Sequence, residues 1–147
     1  MKMKKLLFIS FVIKAFAFVP KPANHISKTE IDFFKGSGSD AIAKAKRESK
    51  PIVLDIYATW CGPCKMLKEK TFTNKEVGMF YNSHFINVSL NGEKGDGVVL
   101  AQKYQIPGYP SLLILDSDEI PLYANAGYMT PEDLINFGKE GLKKLDK

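Results

Sequence analysis

The stretch Trp60-Cys61-Gly62-Pro63-Cys64-Lys65 holds the only two cysteines in a chain of 147 residues. With two residues between them, such a pair is either a redox dithiol or half of a metal site. A structural zinc site asks for four ligands, usually as two pairs. Here there is no second pair, and His25 and His84 stand at no ligand-like spacing, so no metal is expected. A small buried disulfide, or two inert core thiols, is the blander alternative. Pro63 argues against it, because proline interrupts a helix or strand unless it occupies the first helical turn, where its missing N–H is not needed.

That placement has a chemical consequence. If Cys61 caps a helix opened by Gly62, Pro63 and Cys64 and continued through Lys70, its sulfur faces unpaired backbone N–H groups and the positive end of the helix dipole. Both favour an anion, so the Cys61 thiolate is stabilised and its pKa lowered. Cys64, one turn further in, is expected to be the more buried and to stay protonated until needed. Cys61 then attacks and Cys64 resolves.

The element that must deliver this turn lies just upstream. Ile52-Val53-Leu54-Asp55-Ile56-Tyr57 is β-branched, aromatic and almost wholly apolar, the pattern of a central strand covered on both faces. Asp55 is costly inside such a run unless it has a partner or a task.

The rest of the chain supplies a frame. Ile31-Asp32-Phe33-Phe34 reads as a first strand and Gly36-Ser37-Gly38 as a loop. Ser39 or Asp40 is placed to cap a helix with Ala41, Ile42 and Ala45 on its apolar side, which Pro51 stops. Beyond the cysteine helix, Thr73 and Glu76 have capping-box spacing and open a short helix through Tyr81. Residues 85–90 alternate as a strand should. Residues 91–97 form a polar loop whose glycines match neither phosphate-binding pattern, so a solvated connection is expected. A short helix over 98–104 leads to an apolar strand over 112–115. A turn at 116–119 joins it to a strand over 120–124, and Pro121 marks that strand as an edge. Thr130-Pro131-Glu132-Asp133 starts a closing helix to Leu145, with Leu134, Ile135, Phe137, Leu142 and Leu145 available to the core. Alternating helices and strands that end in a hairpin imply an α/β fold with a mixed sheet between helices.

Residues Asp55-Ile56-Tyr57-Ala58-Thr59-Trp60-Cys61-Gly62-Pro63-Cys64-Lys65 resemble the active-site segment of thioredoxins. They resemble the extracytoplasmic thioredoxin-like proteins and the C-terminal domain of the DsbD transporter more closely still, and the similarity runs from about Glu30 to Leu145. The resemblance implies a thioredoxin fold over 30–147, with a central mixed sheet flanked by helices on both faces. It implies thiol-disulfide exchange through a redox-active Cys61–Cys64 disulfide, with no other cofactor. Asp55 matches the family's buried acid, whose raised pKa lets it accept the Cys64 proton. Pro110 matches the cis-proline that lies against the cysteines, which leaves the backbone of Tyr109 free to pair with a substrate segment. Trp60, Gly62, Pro63 and Gly127 complete the implied substrate surface, although core packing for Trp60 and an ordinary turn for Gly127 remain open. Two departures stand out: Tyr57 replaces a tryptophan, and Asn87 lies near where the family carries a lysine that pairs with the buried acid.

The net charge of +5 does not point to nucleic acid, because it is concentrated in Lys2, Lys4, Lys5 and Lys14. Without residues 1–17 there are 17 basic and 16 acidic side chains, with no basic stripe interleaved with aromatics. The same lysines and the apolar run Leu6–Ile13 read as a secretory signal peptide, with Ala15-Phe16-Ala17 as the cleavage pattern and 18–29 as a polar lead-in. The apolar run is shorter than the roughly 20 residues of a membrane span. Export to a periplasm, as a soluble monomer after cleavage near Ala17, is expected. Expected partners are disulfide-containing protein substrates and a membrane thiol electron donor. Gly62-Pro63 resembles the dipeptide of reducing thioredoxins, so a protein-disulfide reductase is the first reading. A dithiol oxidase, an isomerase, or a binding module with a purely structural cysteine pair are the alternatives.

Overall fold

The computed structural model describes residues 29–145. The expected signal peptide and nearly all of the lead-in lie outside those residues.

Strand β1 (Ile52–Tyr57) occupies the middle of the molecule and is buried from Ile52 to Ile56. It pairs in parallel with β2 (Ile86–Asn91) and antiparallel with β3 (Ser111–Leu115), which pairs antiparallel with β4 (Pro121–Ala126). The sheet order is therefore β2-β1-β3-β4, with β4 on an edge. A strand hydrogen-bonded on both sides and covered on both faces has no solvent side, which is why β1 and β3 read as continuous apolar runs.

Helices cover each face. Helix α1 (Gly38–Glu48) and helix α4 (Asp96–Lys103) pack with Ile52, Leu54, Ile56, Leu113 and Leu115. Helix α3 (Lys75–His84) and helix α5 (Pro131–Leu142) pack on the other face with Val53, Leu112 and Ile114. Helix α2 (Gly62–Met66) runs into a π-helical turn, Leu67–Thr71, and Leu67 and Phe72 join this second core. Successive strand side chains alternate between faces. Asp55 therefore points to the side of Val53, into the layer that contains the cysteine helix.

Several local expectations are corrected. The cap of α1 is Ser37, not Ser39 or Asp40; its hydroxyl accepts from the N–H of Asp40, whose carboxylate returns a bond to the Ser37 backbone. Helix α3 is capped by Asn74 rather than Thr73, whose hydroxyl instead donates to the carbonyl of Glu69 at 2.7 Å. Residues 31–34 make a single parallel bridge, Phe33 to Asn87, and not a strand. The Ile31 N–H is taken by the Phe72 carbonyl while the Phe34 N–H reaches Asn87, so the segment spans two elements and cannot run a ladder along either. It is held close: a Cβ on Gly78 of α3 would stand 2.6 Å from the Glu30 carbonyl carbon. Helix α5 ends at Leu142, and Leu145 lies exposed beyond the last turn.

Candidate functional site

The turn after β1 brings the cysteines to the start of a helix. Cys61 is the N-cap of α2, Pro63 lies in the first turn, and the backbone N–H of Cys64 points at Cys61 Sγ at 3.1 Å. The two sulfurs are joined in a disulfide with their Cα atoms 5.3 Å apart. The expectation that Cys61 is the exposed sulfur and Cys64 the hidden one is not met in this disulfide state. Cys61 is 3% exposed and Cys64 7%, because the bonded sulfurs cover each other and pack with Ala58 beside Tyr57 and Tyr109. Gly62 and Pro63 are the exposed part of the motif.

Against this turn stands the loop that precedes β3. The Tyr109–Pro110 peptide bond is cis, and Pro110 is fully buried. The Pro110 carbonyl accepts from the Gly127 N–H at 2.8 Å, which fixes the end of β4 to the loop. Gly127 has a φ of +102°, a conformation that favours glycine, and a Cβ there would meet nothing within 4 Å. Among the described residues the backbone of Tyr109 makes no backbone hydrogen bond.

Trp60 is not a core residue. It is 68% exposed, meets the Tyr109 ring edge-to-face at 6.0 Å, and donates its indole N–H to Glu93 Oε1 at 3.0 Å. Glu93 and Gly92 belong to the polar loop that the sequence leaves as a mere connection. A Cβ on Gly92 would lie 2.6 Å from Tyr109 Cε1, so the loop sits directly against that ring.

Asp55 is buried in β1, and burial raises its pKa to about 7 against the lowering effect of Ser89 and, more weakly, Lys68. Ser89 Oγ donates to Asp55 Oδ2 at 2.7 Å, whereas Oδ1 has no partner. This corrects the position assigned to the missing lysine. Ser89, not Asn87, is the residue across from Asp55 on β2, while Asn87 stands opposite Val53 and bonds to Asn82. Counting from the parallel register gives this pairing; counting along the sequence did not.

Seven of the nine singled-out residues, Trp60 through Cys64 together with Tyr109 and Pro110, thus lie on two facing turns or on the helix that one of them opens. Gly127 is bonded to the second turn and Asp55 belongs to the strand that carries the first.

The thioredoxin-like family model matches residues 35–117, more than half of the chain, and the chain belongs to that family. Within it, DsbD, the thiol:disulfide interchange protein of Yersinia pestis, is 30% identical over 88 residues, which are 58% of this chain and 15% of DsbD. The chain thus spans only a small part of the length of this curated relative. A structure from Bacteroides thetaiotaomicron, described as a candidate disulphide-isomerase, is 35% identical, covers 78% of this chain and 95% of its own, and superposes with a TM-score of 0.69. The oxidised C-terminal domain of Neisseria meningitidis DsbD shares the fold at 22% identity and a TM-score of 0.61, covering 75% of this chain and 99% of its own. The chain thus has a thioredoxin-like disulfide oxidoreductase fold, with a Cys61–Cys64 pair at the start of α2.

Proposed function

We propose that this protein reduces disulfides in other proteins, with Cys61 as nucleophile, Cys64 as resolving thiol and Asp55 as proton acceptor. The observation that carries the reading is the Cys64 N–H aimed at Cys61 Sγ from the first turn of α2. A thiolate at that sulfur receives a hydrogen bond and the helix dipole together.

Starting from the reduced pair, the Cys61 thiolate attacks one sulfur of a substrate disulfide and releases the other as a thiolate. Cys64 then loses its proton to Asp55, and its thiolate attacks Cys61 Sγ. The mixed disulfide breaks, the substrate leaves with both sulfurs reduced, and the Cys61–Cys64 disulfide carries away the oxidised state. Two electrons have passed from the dithiol to the substrate. Asp55 suits this step because an acid with a pKa near 7 takes and returns a proton around neutral pH. The Tyr109 backbone, with no other backbone partner, pairs with the extended substrate segment. Exposed Trp60, Gly62 and Pro63 meet its side chains, and Gly127 leaves room for its main chain.

Likeness to DsbD supports a membrane thiol donor as the source of electrons and an exported location. Among the described residues no helix is long and apolar enough to cross a membrane. An isomerase is the second reading, favoured by the description of the Bacteroides relative.

The deciding experiment is the equilibrium reduction potential of the Cys61–Cys64 couple, measured together with refolding of a scrambled multi-disulfide protein. A potential near the roughly −270 mV of thioredoxin supports reduction, whereas one near the roughly −120 mV of DsbA overturns it in favour of an oxidase. Turnover of scrambled substrate by Cys64→Ala protein, which lacks the resolving thiol, identifies an isomerase. A reduced pair that resists alkylation at neutral pH removes the chemistry altogether and leaves a binding module.

A further inference from the structure

When Cys64 gives its proton to Asp55, one negative charge moves from a carboxylate to a sulfur inside the protein. A buried anion is costly unless something stabilises it. Asp55 is 4% exposed, β2 offers it only the Ser89 hydroxyl on Oδ2, and Oδ1 has no partner. A compensating cation has to come from another element.

Most of what surrounds Asp55 carries no charge. On the Val53 face of β1 the covering layer is apolar, with Leu67, Val77, Leu112, Leu134 and Phe137. Tyr81 of α3 lies in that layer too, but its hydroxyl donates to the Leu134 carbonyl at 2.6 Å and burial raises its pKa, so it stays neutral. The Cys61–Cys64 disulfide, with Tyr57 and Tyr109 beside it, supplies no cation either.

The cysteine helix does. Helix α2 continues without a break into the π-helical turn, since the junction residues Met66 and Leu67 both keep right-handed helical dihedrals. Cys64 and Lys68 are four apart along this path, so they lie one above the other on the helix surface. The buried residues Cys64, Leu67 and Thr71 mark the inward side of the same run. Lys68 stands at the margin of that side, exposed, with a stem that follows the helix and an ammonium that stays in water.

Its backbone is pinned. The Phe72 N–H bonds to the Leu67 carbonyl at 2.9 Å, and Thr71 Oγ1 donates to the Met129 carbonyl at 2.7 Å, which ties the π turn to the segment after β4. Lys68 forms no ion pair among the described residues, so no carboxylate neutralises it. Among those residues it is also the one charged side chain whose field acts on Asp55, and it favours the carboxylate. A charge facing a buried group is screened much less than one facing open solvent.

We propose that Lys68 is a positioning residue of the resolving step: from the turn beyond Cys64 it stabilises the single negative charge that Asp55 and Cys64 exchange, given Asp55 as the acceptor of the Cys64 proton as proposed above. In that step the Cys64 S–H bond breaks, the proton goes to Asp55, and the sulfur's electron pair forms the bond to Cys61 Sγ. The bond from Cys61 to the substrate breaks with its pair on the substrate sulfur. Lys68 keeps its own proton throughout and touches no reacting atom.

The test has two readouts on the full chain. Carbon-13 nuclear magnetic resonance follows titration of the Asp55 carboxyl in the oxidised protein, its signal assigned by loss in Asp55→Asn, and stopped-flow kinetics follow resolution of a mixed disulfide. In Lys68→Gln the carboxyl midpoint should move to higher pH, and resolution at about pH 6 should slow about two- to fivefold, with a smaller change in the first attack by Cys61. Lys68→Arg should keep both at the wild-type values. So should Lys70→Gln, which removes the same charge from an exposed position two residues on, toward the opposite side of the helix. An unmoved midpoint in Lys68→Gln overturns the role of Lys68 and leaves Asp55 standing as acceptor, as does an equal shift in Lys70→Gln or Lys68→Arg. A moved midpoint with unchanged resolution overturns Asp55 as acceptor, and the role of Lys68 in the step with it.

Discussion

Ser89 Oγ donates to Oδ2 of Asp55 at 2.7 Å, and Oδ1 of the same carboxylate has no hydrogen-bond partner. One oxygen is stabilised as an anion and the other is desolvated without compensation. Desolvation is the larger influence, which puts the Asp55 pKa at about 7 instead of near 3.8.

This has a definite sign for stability. Between pH about 4 and about 7 the folded chain holds a proton on Asp55 that the unfolded chain has lost, so stability falls as pH rises through that window. The shift corresponds to an effect on the order of 4 kcal/mol. Asp55→Asn should therefore stabilise the protein most above pH 7 and little at pH 4, and should flatten the dependence between them. Urea unfolding at several pH values checks this; a mutant that keeps the wild-type slope would assign the slope to another group.

The same carboxylate predicts a kinetic split. Asp55→Asn should slow resolution of the mixed disulfide while leaving the first attack by Cys61 nearly intact. Ser89→Ala should keep the acid but shift its titration: it removes the one hydrogen bond that lowers the Asp55 pKa, so the pH profile of resolution should move to higher pH. Stopped-flow traces of both steps against pH distinguish these outcomes from a general loss of folding.

For the thiols, the Cys64 N–H to Cys61 Sγ geometry predicts unequal reactivity after reduction. Cys61 should be alkylated at least about tenfold faster than Cys64 at neutral pH, with a thiol pKa drawn below the usual 8.5 or so. Mass spectrometry of partly alkylated protein reads the ratio directly, and equal rates would remove the assignment of nucleophile and resolver.

A packing prediction concerns the loop that sequence reading passed over. In Gly92→Ala the new methyl would stand 2.6 Å from Tyr109 Cε1 and 2.8 Å from Ile56 Cγ2. Since Ile56 is fully buried, the tyrosine must give way, at a cost of about 1–3 kcal/mol and with displacement of the Trp60 contact. Reduced stability with altered tryptophan fluorescence is expected; unchanged fluorescence would mean that the ring moves without affecting Trp60.

What could be read in advance was what repeats locally. The apolar run of β1, the proline inside the cysteine turn and the Thr130-Pro131 helix start each carry their signal within a few residues, and each took its expected place. The errors fell where a choice depends on a distant partner. Ser37, Ser39 and Asp40 all suit a cap, and which of them is used is settled by contacts such as the Gly38 N–H donating to Asp96, 58 residues away. Residues 31–34 have strand composition but divide their hydrogen bonds between Phe72 and Asn87. Ser89 and Glu93 gained their roles through sheet register and loop path, and neither residue type signals such a role alone.

The seat of Glu30 on Gly78 also decides how the molecule can be held. Because Phe33 bridges β2 in parallel, the chain enters the domain at the starting end of the sheet and runs toward the dithiol end. Anything joined ahead of Glu30, whether an affinity tag, a surface linker or a fused carrier, therefore attaches at the back of the molecule. Such an attachment presents the cysteines outward, and immobilising the protein through that end should preserve its access to large folded substrates better than coupling through the exposed lysines 65 and 68 beside the active site.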